Sequence, residues 1–402
     1  MLDWSAETNP HIHPLEKTIK LEPKRDFLSP SRASLTSHEA LCNKPDMRNG
    51  KPGRRSRTRS ATPAHVIDSD GHVRETDKEI IEYMSPGYRS RRDAMLYFPL
   101  VPHHGWHRSI PQNDYRRQDF RVPDWREWAE KLDEGKIELT VLYPTRFMHI
   151  GQIGNPEYAA ELCRAYNDFL HDRFLSRDER FRGMALLPLQ DIQSAVKELR
   201  RAVKRYGMVG GILPAEGLPL PLGHSQYRPI FEEADRLGCA LSVHSCTSLR
   251  DNDRFLQPNE VAALAHVIPQ MRQFTNIMFS GLMDKLKRLR LGFLEAGCGW
   301  VPYMIGKIEE RLERVPRKER PVLPSDLLAR KRLFFQCGEE MTTRRDIELL
   351  GDGCLLWASD FPHEATKTDL GKLVKEFCER KDLARVSKKK ILYDNPRKFY
   401  AL

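Results

Sequence analysis

The chain reads as an α/β protein in which eight strands and eight helices alternate to close a (β/α)8 barrel, entered after a disordered N-terminal arm. Three observations support that class. Eight short apolar runs alternate with amphipathic helical stretches, a pattern that requires parallel strands joined by right-handed crossovers. Residues 63–402 leave 402 − 62 = 340 positions for the alternation, enough for a barrel of about 250 residues with insertions. Three of the runs end in residues that bind metals, at the strand ends where such barrels carry their sites. An open doubly wound sheet is the alternative architecture.

The predicted strands are 64–70, 137–143, 182–188, 208–213, 239–244, 289–295, 333–336 and 354–359, most of them β-branched or leucine-rich. Between them, apolar residues recur every three and four positions over 156–174, 191–205, 226–237, 259–287, 301–314, 342–350 and 366–380, the period of a helix with one buried face. A further helix over 124–134 is the first outer helix, with Asp124 as its N-cap. The connection 73–123 is far too long for an ordinary strand-to-helix turn. Its prolines, aromatics and histidines, among them His103, His104, Trp106 and His107, predict an ordered lid over the barrel mouth.

Residues 1–62 are rich in Pro, Ser, His and charge and end in the basic run Lys51–Arg59. They lack the apolar periodicity that would offset the entropy of ordering, so a disordered basic extension is expected there. The arm holds 12 basic against 7 acidic side chains, half of the chain's net +10. The mildly basic body then reads as a solvated face, with no aromatic-interleaved basic motif for nucleic acid. Eight cysteines at 42, 163, 239, 246, 298, 337, 354 and 378 form no C-x-x-C pair, which fits buried thiols in a reducing cytosol. No window reaches the roughly 20 apolar residues of a membrane span, and no secretory leader pattern opens the chain.

The ligand motifs are Ile67-Asp68-Ser69-Asp70-Gly71-His72 on strand 1, Ala240-Leu241-Ser242-Val243-His244 on strand 5, and Leu355-Leu356-Trp357-Ala358-Ser359-Asp360-Phe361-Pro362-His363 on strand 8. Side chains two apart on a strand share a face, so Asp70 and His72 can grip one ion, joined by His244 and Asp360. Each motif alone is common; their shared position at the ends of strands 1, 5 and 8 is the informative part. Two imidazoles and two carboxylates suit Zn²⁺ or Mn²⁺ better than Ca²⁺. Strand 4, Met208–Leu213, offers no lysine to bridge two ions, so a single divalent ion is expected.

With Glu295-Ala296-Gly297-Cys298-Gly299-Trp300-Val301-Pro302 after strand 6 and the closing Asp394-Asn395-Pro396-Arg397-Lys398-Phe399-Tyr400, these motifs resemble the amidohydrolase-related family. The resemblance is to its branch of aminocarboxymuconate-semialdehyde and dihydroxybenzoate decarboxylases, and it covers roughly residues 64–402. It implies a TIM barrel of the metal-dependent hydrolase type, with Asp70 in the position of the family's first strand 1 ligand and His72 in the second. It also implies a homodimer. Glu295 departs from the family pattern, which places a histidine there; its role is either catalytic or structural. Tyr143, Arg146, Trp300, Phe361 and His363 are expected to line the pocket of a small-molecule substrate.

Two reactions fit this scaffold. In a non-oxidative decarboxylation the metal chelates the substrate carboxylate and Asp360 protonates the carbon that loses CO2. In a hydrolysis the metal activates water toward an ester, lactone or amide, with Asp360 or Glu295 moving the proton. Decarboxylation is the preferred reading because the resemblance is to the single-metal branch. A catalytically silent barrel acting as an interaction protein is the alternative from another class.

Overall fold

Alternation produces the predicted ring: eight parallel strands in the order β1 to β8, each paired with its neighbour in sequence. The computed structural model describes residues 65–90, 122–245, 263–337, 343–363 and 369–402. The strands are β1 (Ile67–Val73), β2 (Leu139–Pro144), β3 (Phe181–Ala185), β4 (Gly210–Pro214), β5 (Ala240–His244), β6 (Arg290–Leu294), β7 (Leu333–Cys337) and β8 (Leu355–Trp357). Two backbone bonds close the ring beyond β8, from Asp360 N to Asp70 O at 2.9 Å and from His72 N to Phe361 O at 2.7 Å. The first bond joins two residues predicted to share a metal, and the second ties a third, His72, to the neighbour of Asp360.

Two apolar layers hold the ring. Inside it, Val141, Tyr143, Met184, Ile212, Leu294, Phe334 and Leu356 pack together with Phe399 and Tyr400. The last two come from the helix Asn395–Tyr400, so the C-terminal motif works as a plug. Gly292 makes room for it, since a Cβ there would lie 2.4 Å from Phe399 Cζ. Outside, the other faces of the strands and the helices form a larger core. There Gly71 lets Trp128 reach β1: a Cβ on Gly71 would stand 2.5 Å from the indole Cη2. The indole N–H donates to His72 O at 3.2 Å.

Most helices fall where their periodicity predicts, and Asp124 caps Trp125–Gly135 by accepting from the N–H groups of Arg126 and Glu127. The differences have local causes. β3 ends at Ala185 rather than 188 because the Asn167 side chain takes both Leu186 N and Leu186 O. The stretch 259–287 becomes Val267–Phe279 and Leu282–Lys285, divided at Gly281 with φ +66°. The first part of the expected lid is a helix, Asp77–Tyr83, capped by Thr76 and Glu79. It leans on the helix Pro156–Leu170, where Arg164 donates to Tyr83 O at 2.8 Å. The remainder of the lid, 91–121, and the N-terminal arm lie outside the described residues.

Candidate metal centre

β1 carries an irregularity between Asp68 and Gly71 in its pairing with β2, and after it Asp70 and His72 turn into one buried cluster with His244 from β5. His244 Nε2 lies 3.1 Å and His72 Nε2 3.3 Å from the carboxylate oxygens of Asp70. His72 Nε2 is also 3.4 Å from Asp360 Oδ1. The ligand-type atoms of Asp70, His72 and His244, and those of His72, Asp360 and His363, lie within 4.8 Å of one another in each group. All four expected ligands are therefore brought together, and His363 joins them.

Hydrogen bonds on the far side of each ring select the inward nitrogen. His72 Nδ1 is 2.8 Å from Pro144 O and His244 Nδ1 is 2.9 Å from Ser245 O. A carbonyl only accepts, so each Nδ1 carries a proton, and in the neutral ring Nε2 is the nitrogen left to offer a lone pair to an ion, the arrangement found behind metal-binding imidazoles. His72 Nε2 is buried and makes no aligned hydrogen bond although Asp70 and Asp360 lie 3.3 and 3.4 Å away, and Asp360 Oδ1 is buried with His363 Nδ1 2.9 Å away but out of hydrogen-bond alignment. Buried polar atoms are rarely left so, and a divalent cation between them would satisfy both. The residues fit such an ion.

The electrostatics describe the same need for positive charge. Burial works against charging His72, but Asp70, Asp360 and Glu295 overcome it and raise the imidazole to about 10. His244 is raised by the same fight between burial and Asp70. Burial also opposes ionisation of Asp70, yet the two imidazoles hold it well below the usual carboxylate range. Asp360 is pushed well above that range by burial and by Glu295. Protons gather here because three carboxylates share a dry space, which a metal ion would also neutralise.

Glu295 lies just past β6. Its carboxylate is 3.4 Å from His244 Nδ1, 3.6 Å from His266 Nδ1 and 3.9 Å from His363 Nδ1. Burial opposes its charge, but His266, His244 and His363 lower it to about 2. Glu295 and Asp360 share the left-handed backbone region, at φ +59° and +53°, which costs a non-glycine residue about 1–2 kcal/mol. Such strain gathers at sites where side-chain direction matters more than local stability.

The other expected pocket residues divide. His363 stacks on His72 with ring centroids 4.1 Å apart, its Nδ1 is 2.9 Å from Asp360, and its Nε2 is 2.9 Å from Thr145 Oγ. Tyr143 forms the floor, its ring 5.1 Å from that of His244 and its hydroxyl bonded to Ser242 and Tyr400. Arg146 is instead turned to Asp77. Trp300 packs among Phe274, Phe293 and Phe335, and Phe361 sets its ring edge against Trp128. These three are drawn away from the cluster by an ion pair and by aromatic packing.

Sequence reasoning missed several supports. Asp68, noted within the motif but given no role, accepts from Ser359 N and Oγ at 2.8 Å and from Thr140 Oγ at 3.0 Å; burial pushes its carboxyl up to about 6 against those bonds. Glu75 accepts the N–H groups of Thr145 and Phe147, fixing the loop that supports His363. His149 and His266 carried no periodic or spacing signal. The one available clue for His149 was its place in the turn after β2.

The amidohydrolase family model matches residues 67–402. Gamma-resorcylate decarboxylase of Rhodococcus jostii is 30% identical over 281 residues, 63% of this chain and 82% of that protein. The 2-amino-3-carboxymuconate-6-semialdehyde decarboxylase of Dictyostelium discoideum is 24% identical over 70% of this chain and 77% of its own. Among solved structures, 2,6-dihydroxybenzoate decarboxylase from Rhizobium superposes with a TM-score of 0.64 at 22% identity, covering 84% of this chain and 99% of that one. The 5-carboxyvanillate decarboxylase of Novosphingobium aromaticivorans, solved with manganese, gives 0.65 at 20% identity over 84% and 96%. The fold is the one those enzymes share, and the matched segment spans all eight strands. This chain belongs to the amidohydrolase family.

Proposed function

We propose that this protein is a divalent-metal-dependent, non-oxidative carboxy-lyase acting on a small aromatic carboxylic acid. The observation that carries the reading is the convergence of Asp70, His72, His244 and Asp360 in two overlapping groups of ligand-type atoms, with His72 Nε2 and Asp360 Oδ1 buried and in no aligned hydrogen bond. Its setting, in a chain whose curated relatives are decarboxylases, supports the reaction class. The donor set serves Zn²⁺ or Mn²⁺, and manganese occupies three of the neighbouring structures. A reducing cytosol agrees with the six described cysteines, none of which is in a disulfide, and a homodimer follows from the family resemblance alone.

Asp70, His72, His244 and Asp360 would hold a divalent ion, which would supply positive charge toward the substrate carboxylate. Asp360 donates a proton to the ring carbon as the bond from that carbon to the carboxylate breaks; the electron pair of the bond takes the proton, and CO2 leaves. His363, 2.9 Å from Asp360 and steadied by Thr145, returns a proton to Asp360. Glu295 holds His363 and His266 in place by charge. Its own depressed carboxyl makes it a weak base, which argues against hydrolysis driven through Glu295.

The test is elemental analysis of the purified chain, followed by a screen of hydroxybenzoates for CO2 release against esters and lactones. One ion per chain with CO2 release is expected, and Asp360→Asn should lower kcat at least about 1,000-fold, the scale of losing a proton donor. Hydrolysis of esters or lactones without CO2 release would overturn the reaction class. A chain free of stoichiometric metal would favour the silent barrel.

A further inference from the structure

We infer that the acid turned over carries an uncharged polar arm, and that this arm occupies a second compartment of the barrel mouth, reached past His149 and Gln152. The inference rests on the carboxy-lyase reading. A cavity of about 610 Å³ opens among the loops that follow β2, β3 and β4. Five polar side chains line it, Gln152, Gln190, Glu216, Gln226 and Tyr227. Two loops meet tightly behind them. A Cβ on Gly151 would lie 2.9 Å from Glu216 O, and Gly217, at φ +93°, would bring one to 2.9 Å from Gln152 Cγ. Only glycine permits that approach, so the compartment is built into the fold.

The chemistry of the wall restricts the occupant. Among the described residues no lysine, arginine or histidine lines the cavity, and Glu216 is paired to Arg272 at 2.9 Å. A second carboxylate or a phosphate would meet a carboxylate and amides with no cation to hold it. Side-chain amides both donate and accept, which suits a hydroxyl, ether or amide group. The volume falls in the range of about 300–1,000 Å³ that holds whole small-molecule ligands, so it is more than a niche for water.

The turn Arg146–Gln152 runs from Thr145, which holds His363, to Gly151 and Gln152 in the cavity wall, and His149 lies on it between the two. It is 8% exposed, and its Nδ1 is 3.3 Å from Gln152 Nε2, which donates to it. The proton of the ring therefore sits on Nε2, an atom with no hydrogen-bond partner among the described residues. Burial lowers the imidazole to about 4 against the field of Glu295, with His266 adding to the drop. His149 is thus a neutral N–H donor within the field of the Glu295 cluster, belonging to neither the metal ligands nor the cavity wall.

The test is calorimetric binding to the metal-loaded full chain. The probes are 2,6-dihydroxybenzoate, hydroxybenzoates bearing an acetamido or 2-hydroxyethoxy arm at each ring position, and the matching carboxymethyl series. At least one neutral-armed acid should bind about tenfold more tightly than the parent, the scale of filling one further pocket group. The carboxymethyl arms should bring no gain. In Gly154→Trp the ratio should fall to about one; a Cβ there meets open space, so the added indole is accommodated without strain. Leu218→Trp should act likewise, and His149→Phe should reduce the ratio as well. Absence of any gain from neutral arms, equal gain from charged ones, or a ratio preserved in both tryptophan variants would overturn the inference alone. Failure of every acid, parent included, to bind or to release CO2 would overturn the carboxy-lyase reading together with it.

Discussion

Gly71→Ala tests how the outer helix layer positions the two β1 ligands. The new methyl would lie 2.5 Å from Trp128 Cη2, 2.7 Å from Thr140 Oγ and 3.1 Å from Trp128 Cζ2. Carbon atoms rest at about 3.5–4.0 Å, so the indole must retreat by about 1 Å or β1 must move inward. Trp128 is fully buried, bonded to His72 O and braced at 4.7 Å against the Phe361 ring, so retreat breaks a hydrogen bond. Overpacking of this kind costs about 1–3 kcal/mol and the lost bond about 1 kcal/mol, which gives about 2–4 kcal/mol in all. Urea unfolding of the metal-free chain measures it directly. Because Gly71 stands between Asp70 and His72, metal affinity should fall at the same time. Trp128→Phe removes the clashing ring atoms, so the double variant should recover at least about 1 kcal/mol relative to additivity. Additive costs, or an alanine variant within about 0.5 kcal/mol of wild type, would refute the proposed contact.

Asp68→Ala removes the acceptor of Ser359 N and of two hydroxyls, leaving a buried N–H unsatisfied at a cost of about 1–3 kcal/mol. It should weaken metal binding through Asp360, while Asp68→Asn, which keeps an acceptor for Ser359 N, should retain most of it; equal behaviour of the two variants in a metal titration would contradict this. Tyr400→Phe deletes the 2.6 Å bond to Ser69 O and should cost about 1–2 kcal/mol in urea unfolding, with no loss expected only if the plug acts by packing alone. Glu233 is lowered from 4.5 to about 2, first by Arg236 and then, against burial, by Arg200. A depressed carboxyl adds stability above its unfolded value and loses it as pH falls through the folded one. Glu233→Gln should therefore cost about 1 kcal/mol at pH 7, an amount limited by solvent screening of the half-exposed arginines. The difference from wild type should shrink between pH 4.5 and 2, and a pH-independent difference would count against the ion pairs.

The barrel was legible because its signal is repeated eight times over: each β-rich run is buried along nearly all of its length and most helices show one apolar face. The convergence of the four proposed ligands was legible for a related reason, since strand periodicity and the shared strand ends restrict where Asp70, His72, His244 and Asp360 can point. What escaped was set by contacts between segments far apart in the chain. Arg146 finds Asp77 and Trp300 finds three phenylalanines, and neither partner is announced by local pattern. His149 and His266 reach Glu295 through loop and helix geometry that has no period. The end of β3 was misjudged because one Asn167 side chain, nineteen residues before Leu186, captures its backbone.

The central claim is that one divalent ion is held by Asp70, His72, His244 and Asp360 together. Elemental analysis of the wild-type chain beside Asp70→Ala and His244→Ala, each confirmed as folded by circular dichroism, tests it most directly. The account predicts one zinc or manganese per wild-type chain and a clear loss of bound metal in both variants. Wild-type metal content in either folded variant would contradict it.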